Sequence, residues 1–536
     1  MKRTITITLM LCLLFTFSMT GCGGKETTEG STVAENSAAS AGETKGETVK
    51  SDKRTDLVIG KASEAYIITP FTDTLLPNKN DMFILCSMYD TLLYLDSTTG
   101  EVLPNVATKW EVSDDGLTYT FTLRDDVTFW DGTHLTAEDV AFGIEQAAAS
   151  SMGPVYYINY KSAEAVDETT LVVTLSAPNA SFLNTFAGLG CYLFSKTRFE
   201  EEGGWDGFTK NPLGSGPYQY VSAEVGSSLT LKAYDGYWGT KPSVDTITIK
   251  YISDLNSQII ALESGEVDIL YDAPISTLKL VEGKKGINWS YTESYVIGTL
   301  HINTCTEGGP LLDDNLRKAI ISAIDYEAIN TSVFDGLSSR PEAASPMTYT
   351  GMPDSGDFTP QIGYNIEEAK KYLAASNYNG AEIRLRCVSG TKEETASKII
   401  QGCLQEIGIN CQIYASDTAT VMSALRSTGD YELILYSGMG PLYDAIAYHQ
   451  TLTQGPASLA DFYPEALELA TDGISCTNPE ERKEIYAKLL TLLHENAYNS
   501  TVFVDCTTLA WRDGVTGCEN CLPGVNYRMN SFGWAD

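Results

Sequence analysis

Residues 103–146 read LPNVATKWEVSDDGLTYTFTLRDDVTFWDGTHLTAEDVAFGIEQ, and the fold is read outward from this stretch. Leu117, Tyr119, Phe121 and Leu123 alternate with Thr118, Thr120 and Thr122, the period-2 pattern of a strand with one buried face. Asp114-Asp115-Gly116 supplies the turn before it, since Gly tolerates positive φ and Asp bonds nearby backbone. Val127 to Trp130 is expected as a second aromatic strand, closed by Asp131-Gly132. Thr136-Ala-Glu-Asp139 reads as the cap of a helix that carries Val140 and Ile144.

The stretch also carries a resemblance. Ala107, Trp110, Asp115-Gly116, Tyr119, Phe121, Leu123-Arg124, Asp131-Gly132 and Thr136 to Val140 are similar to the signature of the family 5 extracellular solute-binding proteins, peptide and nickel receptors of ABC importers. Further blocks extend the likeness over essentially everything after Asp56: Asn211-Pro-Leu-Gly214-Ser-Gly216-Pro-Tyr218, Tyr237-Trp238-Gly239, Tyr295 to Thr304, and Asp313 to Asp325. The signature residues read as a structural hairpin and helix, not as a binding site. The resemblance implies an α/β fold of the two-lobe periplasmic-binding-protein (Venus flytrap) type, with an extra α/β subdomain inserted in the first lobe.

Length and charge set the outer bounds. A chain of 536 residues exceeds one hydrophobic core, so two or three domains are expected. The net charge of −34 disfavours nucleic acid and anionic membrane surfaces, both of which reward positive patches. The acidity otherwise speaks for solubility and says little of a ligand.

The first residues read as a leader. Lys2 and Arg3 precede an apolar run from Ile5 to Met19, shorter than the ~20 residues that span a bilayer. Met19-Thr20-Gly21-Cys22 resembles a lipobox, which makes Cys22 the expected lipidation site. An ordinary secretory leader is the alternative, with Cys22 left as a stray thiol. Gly23 to Arg54 holds almost no large apolar residue and is expected to be a flexible tether. Ten further cysteines are thinly spread beyond Cys22. Cys518-Glu-Asn-Cys521 has metal-ligand or redox spacing, but lacks a second pair or nearby His, so a local disulfide or two thiols is expected.

The domain reading follows the chain: leader 1–21, tether 22–55, first lobe 56–81 and 201–275, inserted subdomain 82–200, second lobe 276–500, and a return to the first lobe over 501–536. Met82 to Leu95 is an apolar run that reads as helical, and the resemblance implies that its helix ends near Tyr89 to Leu92. Ile247, Ile249 and Tyr251 mark a strand, Ser257 to Ser264 a helix stopped by Gly265, and Val267 to Tyr271 a strand. This βαβ order recurs at Ile383–Val388, Thr395–Ile407 and Ile409–Tyr414. Gly408 reads as an αL stop, and Asn478-Pro479 opens a last long helix.

No Gly-x-Ser-x-Gly elbow, His-Glu-x-x-His pair or Walker sequence is present, and the four histidines are far apart. A hydrolase is thus a rival reading without a motif. No catalytic residue, metal ligand or cofactor is assigned. The resemblance implies instead a solute held between lobes, lipid-anchored outside the cytoplasmic membrane, and passed to ABC permease subunits by a monomer that touches the membrane through its lipid alone. A short peptide is the expected ligand, bound in β-addition style by Thr69, Phe71 and Thr72 and by Tyr436, Ser437, Gly438 and Met439. Peptide-binding relatives pair the peptide's ammonium with an Asp in an Ala-Asp-Tyr segment, where this chain has Pro441. Asp444, three residues on, is the candidate replacement; it reads equally well as a cap for the following helix. Nickel chelates and oligosaccharides remain open as alternative ligands.

Overall fold

The structure is a computed structural model. It describes residues 54–64, 68–71, 79–96, 99–150, 153–304, 306, 308–343, 345–346, 349–439, 444–453, 463–519 and 528–535. The leader, Cys22, nearly all of the tether, Thr72 and Cys521 lie outside them. Among the described residues, no helix is long and apolar enough to cross a membrane.

The strands number in chain order as β1 (Asp56–Lys61), β2 (Leu93–Leu95), β3 (Val102–Pro104), β4 (Ala107–Val112), β5 (Thr118–Leu123), β6 (Tyr160–Ala165), β7 (Thr170–Leu175), β8 (Tyr218–Glu224), β9 (Ser228–Ala233) and β10 (Thr246–Tyr251). They continue as β11 (Ile269–Tyr271), β12 (Ile287–Ile302), β13 (Ile383–Val388), β14 (Cys411–Ser416), β15 (Leu433–Met439) and β16 (Asn499–Arg512). Ten of them form one sheet in the order β14-β13-β15-β12-β16-β11-β1-β10-β9-β8, while β4-β5-β7-β6 form a separate four-stranded sheet.

The opening stretch builds that smaller sheet. Tyr119, Phe121 and Leu123 of β5 are buried while the intervening threonines are half-exposed, as the alternation requires. Gly116 takes φ +69°, and Asp115 accepts from the Leu117 amide, which fixes the turn. Thr136 donates both its amide and its hydroxyl to Asp139, anchoring the helix Ala137–Ala149. Val127 to Trp130 is not a ladder strand: only Thr128 bridges His134 across the Asp131-Gly132 turn. The Phe129 amide donates to the Thr133 carbonyl, the Gly132 amide to Phe129 and the Leu135 amide to Val127, closing a tight turn, while the Trp130 amide donates outward to Gly214.

In the run Met82 to Leu95 the helix ends close to the expected Tyr89–Leu92. The helix Lys79–Met88 stops, and Leu93–Leu95 is a strand. The break falls at Asp90, whose buried carboxylate accepts from Tyr237 and Trp238 and pairs with Arg528 at 3.0 Å. The glycines of the Gly214-Ser-Gly216 element are demanded by close approach, since a Cβ on Gly214 would lie 2.3 Å from the Met88 carbonyl oxygen.

Two lobes emerge from how the large sheet is shared. β1 runs parallel to both β10 and β11, which makes the first half. β13 runs parallel to β14 and β15, which makes the second. Each half has apolar cover: Ile259, Leu262 and Leu278 on the first, and Leu316, Ile320, Ile400 and Leu404 on the second. The long strands β12 and β16 run through both. The upstream part of β12, Ile287–Glu293, pairs with Cys506–Arg512 of β16, whose Leu509–Trp511 also pair with β11. The downstream part, Ile297–His301, pairs with Asn499–Val504, and β15 lies on its other side. Register is broken between Glu293 and Ile297, a bulge at the crossing, where a bulged strand bends. At Gly298 the Phe503 ring packs so closely that a Cβ would fall 2.3 Å from it.

Candidate functional site

In open α/β sheets, ligands bind at the carboxyl ends of the parallel strands. In the second lobe those ends are Val388 of β13, Ser416 of β14 and Met439 of β15. After β13 the chain turns at Gly390, φ +74°, and enters the helix Lys392–Glu406. Thr391 donates its hydroxyl to the Val388 carbonyl at 2.8 Å, and Glu394 accepts from the Gly390 amide at 2.7 Å. Those two bonds fix the first helical turn and direct its side chains.

Lys392 reaches Asp505 on the through-running strand β16, with Nζ 2.9 Å from the carboxylate. Glu393 is 6 % exposed, yet no hydrogen bond or ion pair holds its carboxylate. After β14, the segment Ala424–Thr428 makes a π-turn that closes at Gly429. Ala424 and Leu425 pack with Tyr431, Ile434 and Tyr436, and Arg426 between them and Gly429 is exposed and unpaired. Every other arginine among the described residues has a hydrogen-bonded or ion-pair partner.

Tyr436 lies under both unpaired charges. Burial pushes its phenol up, the Arg426 guanidinium pulls it down, and Glu393 pushes it up again. The same guanidinium acts on Tyr156, from the chain segment between the helix Ala137–Ala149 and β6, and on His301 of β12. His301 is lowered to about 4, chiefly by burial. The Ser416 and Ser437 hydroxyls are buried at this edge without hydrogen-bond partners.

The residues expected from sequence divide. Tyr436, Ser437, Gly438 and Met439 form the end of β15, paired with Val296–Thr299 at the crossing. Thr69 is buried and donates to the Phe71 carbonyl at 3.3 Å. Phe71 does not offer its ring to a ligand: it is 2 % exposed, 4.7 Å from the Trp205 ring centre and 6.4 Å from that of Phe194.

The reading of Asp444 as partner for a peptide ammonium is corrected by its surroundings. The carboxylate is 1 % exposed and fully engaged. Arg482 donates to it twice, one bond at 2.9 Å; the Ser181 hydroxyl donates at 2.6 Å and the Ile446 amide at 2.8 Å. Its role is to tie its own turn to the helix Pro479–Glu495 and to Ser181. Sequence reasoning missed Glu393, Arg426 and the Lys392–Asp505 pair. Glu393 beside Glu394 looks like any acidic first helical turn, and nothing local marks Arg426 as unmatched.

Among the described residues, no group of three or more His, Cys, Asp or Glu side chains is placed to hold a metal. Two lobes on shared strands, with polar strand ends at the crossing, define the class: a binding protein of the two-lobe periplasmic type. The chain belongs to the bacterial extracellular solute-binding proteins, family 5, whose middle region matches residues 101–458. It is 26 % identical over 459 residues to the dipeptide-binding protein of Escherichia coli (strain K12), covering 78 % of this chain and 84 % of that one. In fold it is similar to the periplasmic binding protein DppA from Helicobacter pylori in complex with the peptide STSA. There the TM-score is 0.77 at 22 % identity, over 90 % of this chain and 99 % of that one. NikA from Brucella suis in complex with Fe(III)-EDTA aligns with TM-score 0.76 at 22 % identity, over 86 % and 96 %.

Proposed function

We propose that this protein is the solute-capturing component of an ABC importer, taking short peptides between its lobes and delivering them to the permease. Cys22, after cleavage of the leader, holds it by lipid to the outer face of the cytoplasmic membrane. The observation that carries the reading is the crossing of β12 and β16, which gives each lobe half of two shared strands and interrupts them by a bulge where they pass between lobes. Such a joint suits hinge closure on a ligand. The end of β15, beyond the residues that pair with β13, suits main-chain pairing with an extended peptide.

A second reading has its own support. Asp444 is spent on Arg482, so the carboxylate nearest the family position is not available to an amino terminus. A chelate or another solute without that group is then the alternative ligand.

A thermal-shift screen separates them, because a ligand selective for the folded, closed state raises the midpoint by mass action. Free tripeptides, nickel–histidine chelate and oligosaccharides are the probes. A rise with peptides alone supports the first reading, and a rise with the chelate or sugars alone overturns it. Separately, Cys22→Ala is expected to release the protein from membranes; retention of the mutant with the leader cleaved would defeat the anchor.

A further inference from the structure

Two opposite charges of the second half are not neutralised by the chain: Glu393 at the carboxyl edge, and Arg426 on the segment that leads into β15. Glu393 is more than nine-tenths buried in the first turn of the helix Lys392–Glu406, with no hydrogen bond or ion pair. An unpaired buried carboxylate is costly, and a protein retains one where a cation is to be met. Its neighbour Lys392 is not that cation, since it is drawn away to Asp505. Glu394 is turned to the Gly390 amide and to Lys398.

Arg426 is the counterpart. It stands on a π-turn, a feature common at functional sites, and it is the one arginine among the described residues without a hydrogen-bond or ion-pair partner. Its segment packs on Tyr436 of β15, and Tyr436 is within electrostatic reach of Glu393 as well. The Ser416 and Ser437 hydroxyls add two buried, unpartnered polar groups to the same edge.

We propose that Glu393 receives the ammonium and Arg426 the carboxylate of a zwitterionic short peptide lying along the end of β15. This deepens the peptide reading above and rests on it. Glu393 then does the work for which Asp444 is unavailable, and the ligand class narrows to peptides with both termini free. An opposite pair of fixed charges also imposes direction on the peptide, because the reversed orientation sets like charges together.

The test uses the full chain and a random tripeptide pool in three forms: free, amino-terminally acetylated and carboxy-terminally amidated. Binding is read by equilibrium dialysis with mass spectrometry. The wild type is expected to hold the free pool about thirtyfold tighter, or more, than the acetylated pool, as for a buried charged contact. Glu393→Gln is expected to bring those two pools within about threefold of each other. Arg426→Gln is expected to abolish the preference for the free pool over the amidated one and to leave the acetylation effect intact. Because Glu393 has no partner to lose, its unfolding midpoint is expected to be unchanged or raised. If Glu393→Gln keeps the wild-type ratio of free to acetylated binding, or lowers the midpoint, the assignment is overturned while the peptide reading stands. If no form of the pool binds the wild type, the peptide reading itself fails and this assignment falls with it.

Discussion

Two pairs of opposite charges, Asp444 with Arg482 and Glu393 with Arg426, are met in contrary ways. The first pair is closed upon itself. Arg482 donates to both carboxylate oxygens of Asp444 and to the Gly473 carbonyl, and Ser181 completes the shell. The second pair shares a neighbour, Tyr436, without a bond between its members or to any other side chain. Saturated charges fix the shape of the chain, and unsaturated ones are left for something that arrives. By that criterion the best sequence candidate for recognition is structural, and an unremarked glutamate takes its place.

The comparison breaks most visibly at Arg482. Arg482→Met removes one member of a buried pair and leaves Asp444 uncompensated, so unfolding stability is expected to drop by about 3–5 kcal/mol. Denaturant unfolding of wild type and mutant measures it. The acetylation preference in peptide binding is expected to survive in whatever fraction remains folded. Arg426→Gln makes the contrast, with affinity changed and the unfolding curve unmoved.

How far the sequence reaches is visible in the same residues. The β5 alternation, the Thr136–Asp139 cap, the Asn478 cap and the Gly265 and Gly408 stops were all readable, because their causes lie within a few residues. The strand expected at Val127–Trp130 fails for a non-local reason, its bonds being shared between its own turn, Gly214 and Tyr234; the helix from Met82 ends close to the expected Tyr89–Leu92, where Asp90 is claimed by Tyr237, Trp238 and Arg528. The site was legible only as a region. Tyr436 to Met439 stand at the crossing, but what Asp444 does depends on Arg482, 38 residues away, and on Ser181, 263 residues away. No periodicity records such pairings.

A buried group can also avoid an unpaired charge by staying neutral, and His494 does so. It is 3 % exposed, with Nδ1 2.6 Å from the Thr359 carbonyl. Burial lowers it to about 4, the carbonyl contact opposes this, and Arg340 lowers it further. The unfolded histidine titrates near its ordinary 6.5. Between pH 6.5 and 4 the unfolded chain therefore binds the extra proton, so stability is full above 6.5 and lost as pH falls toward 4. The loss is roughly 3 kcal/mol for this group. His494→Asn, whose amide can still donate to Thr359, is expected to flatten the fall in the urea midpoint across that window by one proton. An unchanged slope would mean that other groups, such as His301, carry it.

The smallest effect lies at the edge of the closed pair. Ser181 donates to Asp444 and accepts from Arg482 at 2.8 Å, and beside it Asn184 donates to Thr350 at 3.0 Å while the Ala180 amide meets the Ile474 carbonyl at 2.8 Å. These bonds join the turn after β7 to the segments around Thr350, Asp444, Ile474 and Arg482. Ser181→Ala removes one hydroxyl and leaves Asp444 with both Arg482 bonds and the Ile446 amide, so the expected cost is about 1 kcal/mol. Where that cost appears decides what the contact is. If the contact forms only as the lobes close, unfolding is unmoved and ligand leaves about fivefold faster, the kinetic equivalent of about 1 kcal/mol. If it is permanent, the unfolding midpoint drops and the release rate stays as it was. Stopped-flow release together with denaturant unfolding of the one mutant separates the two. The first outcome makes Ser181 the point where the saturated pair is coupled to closure, and the second leaves it a fixed joint.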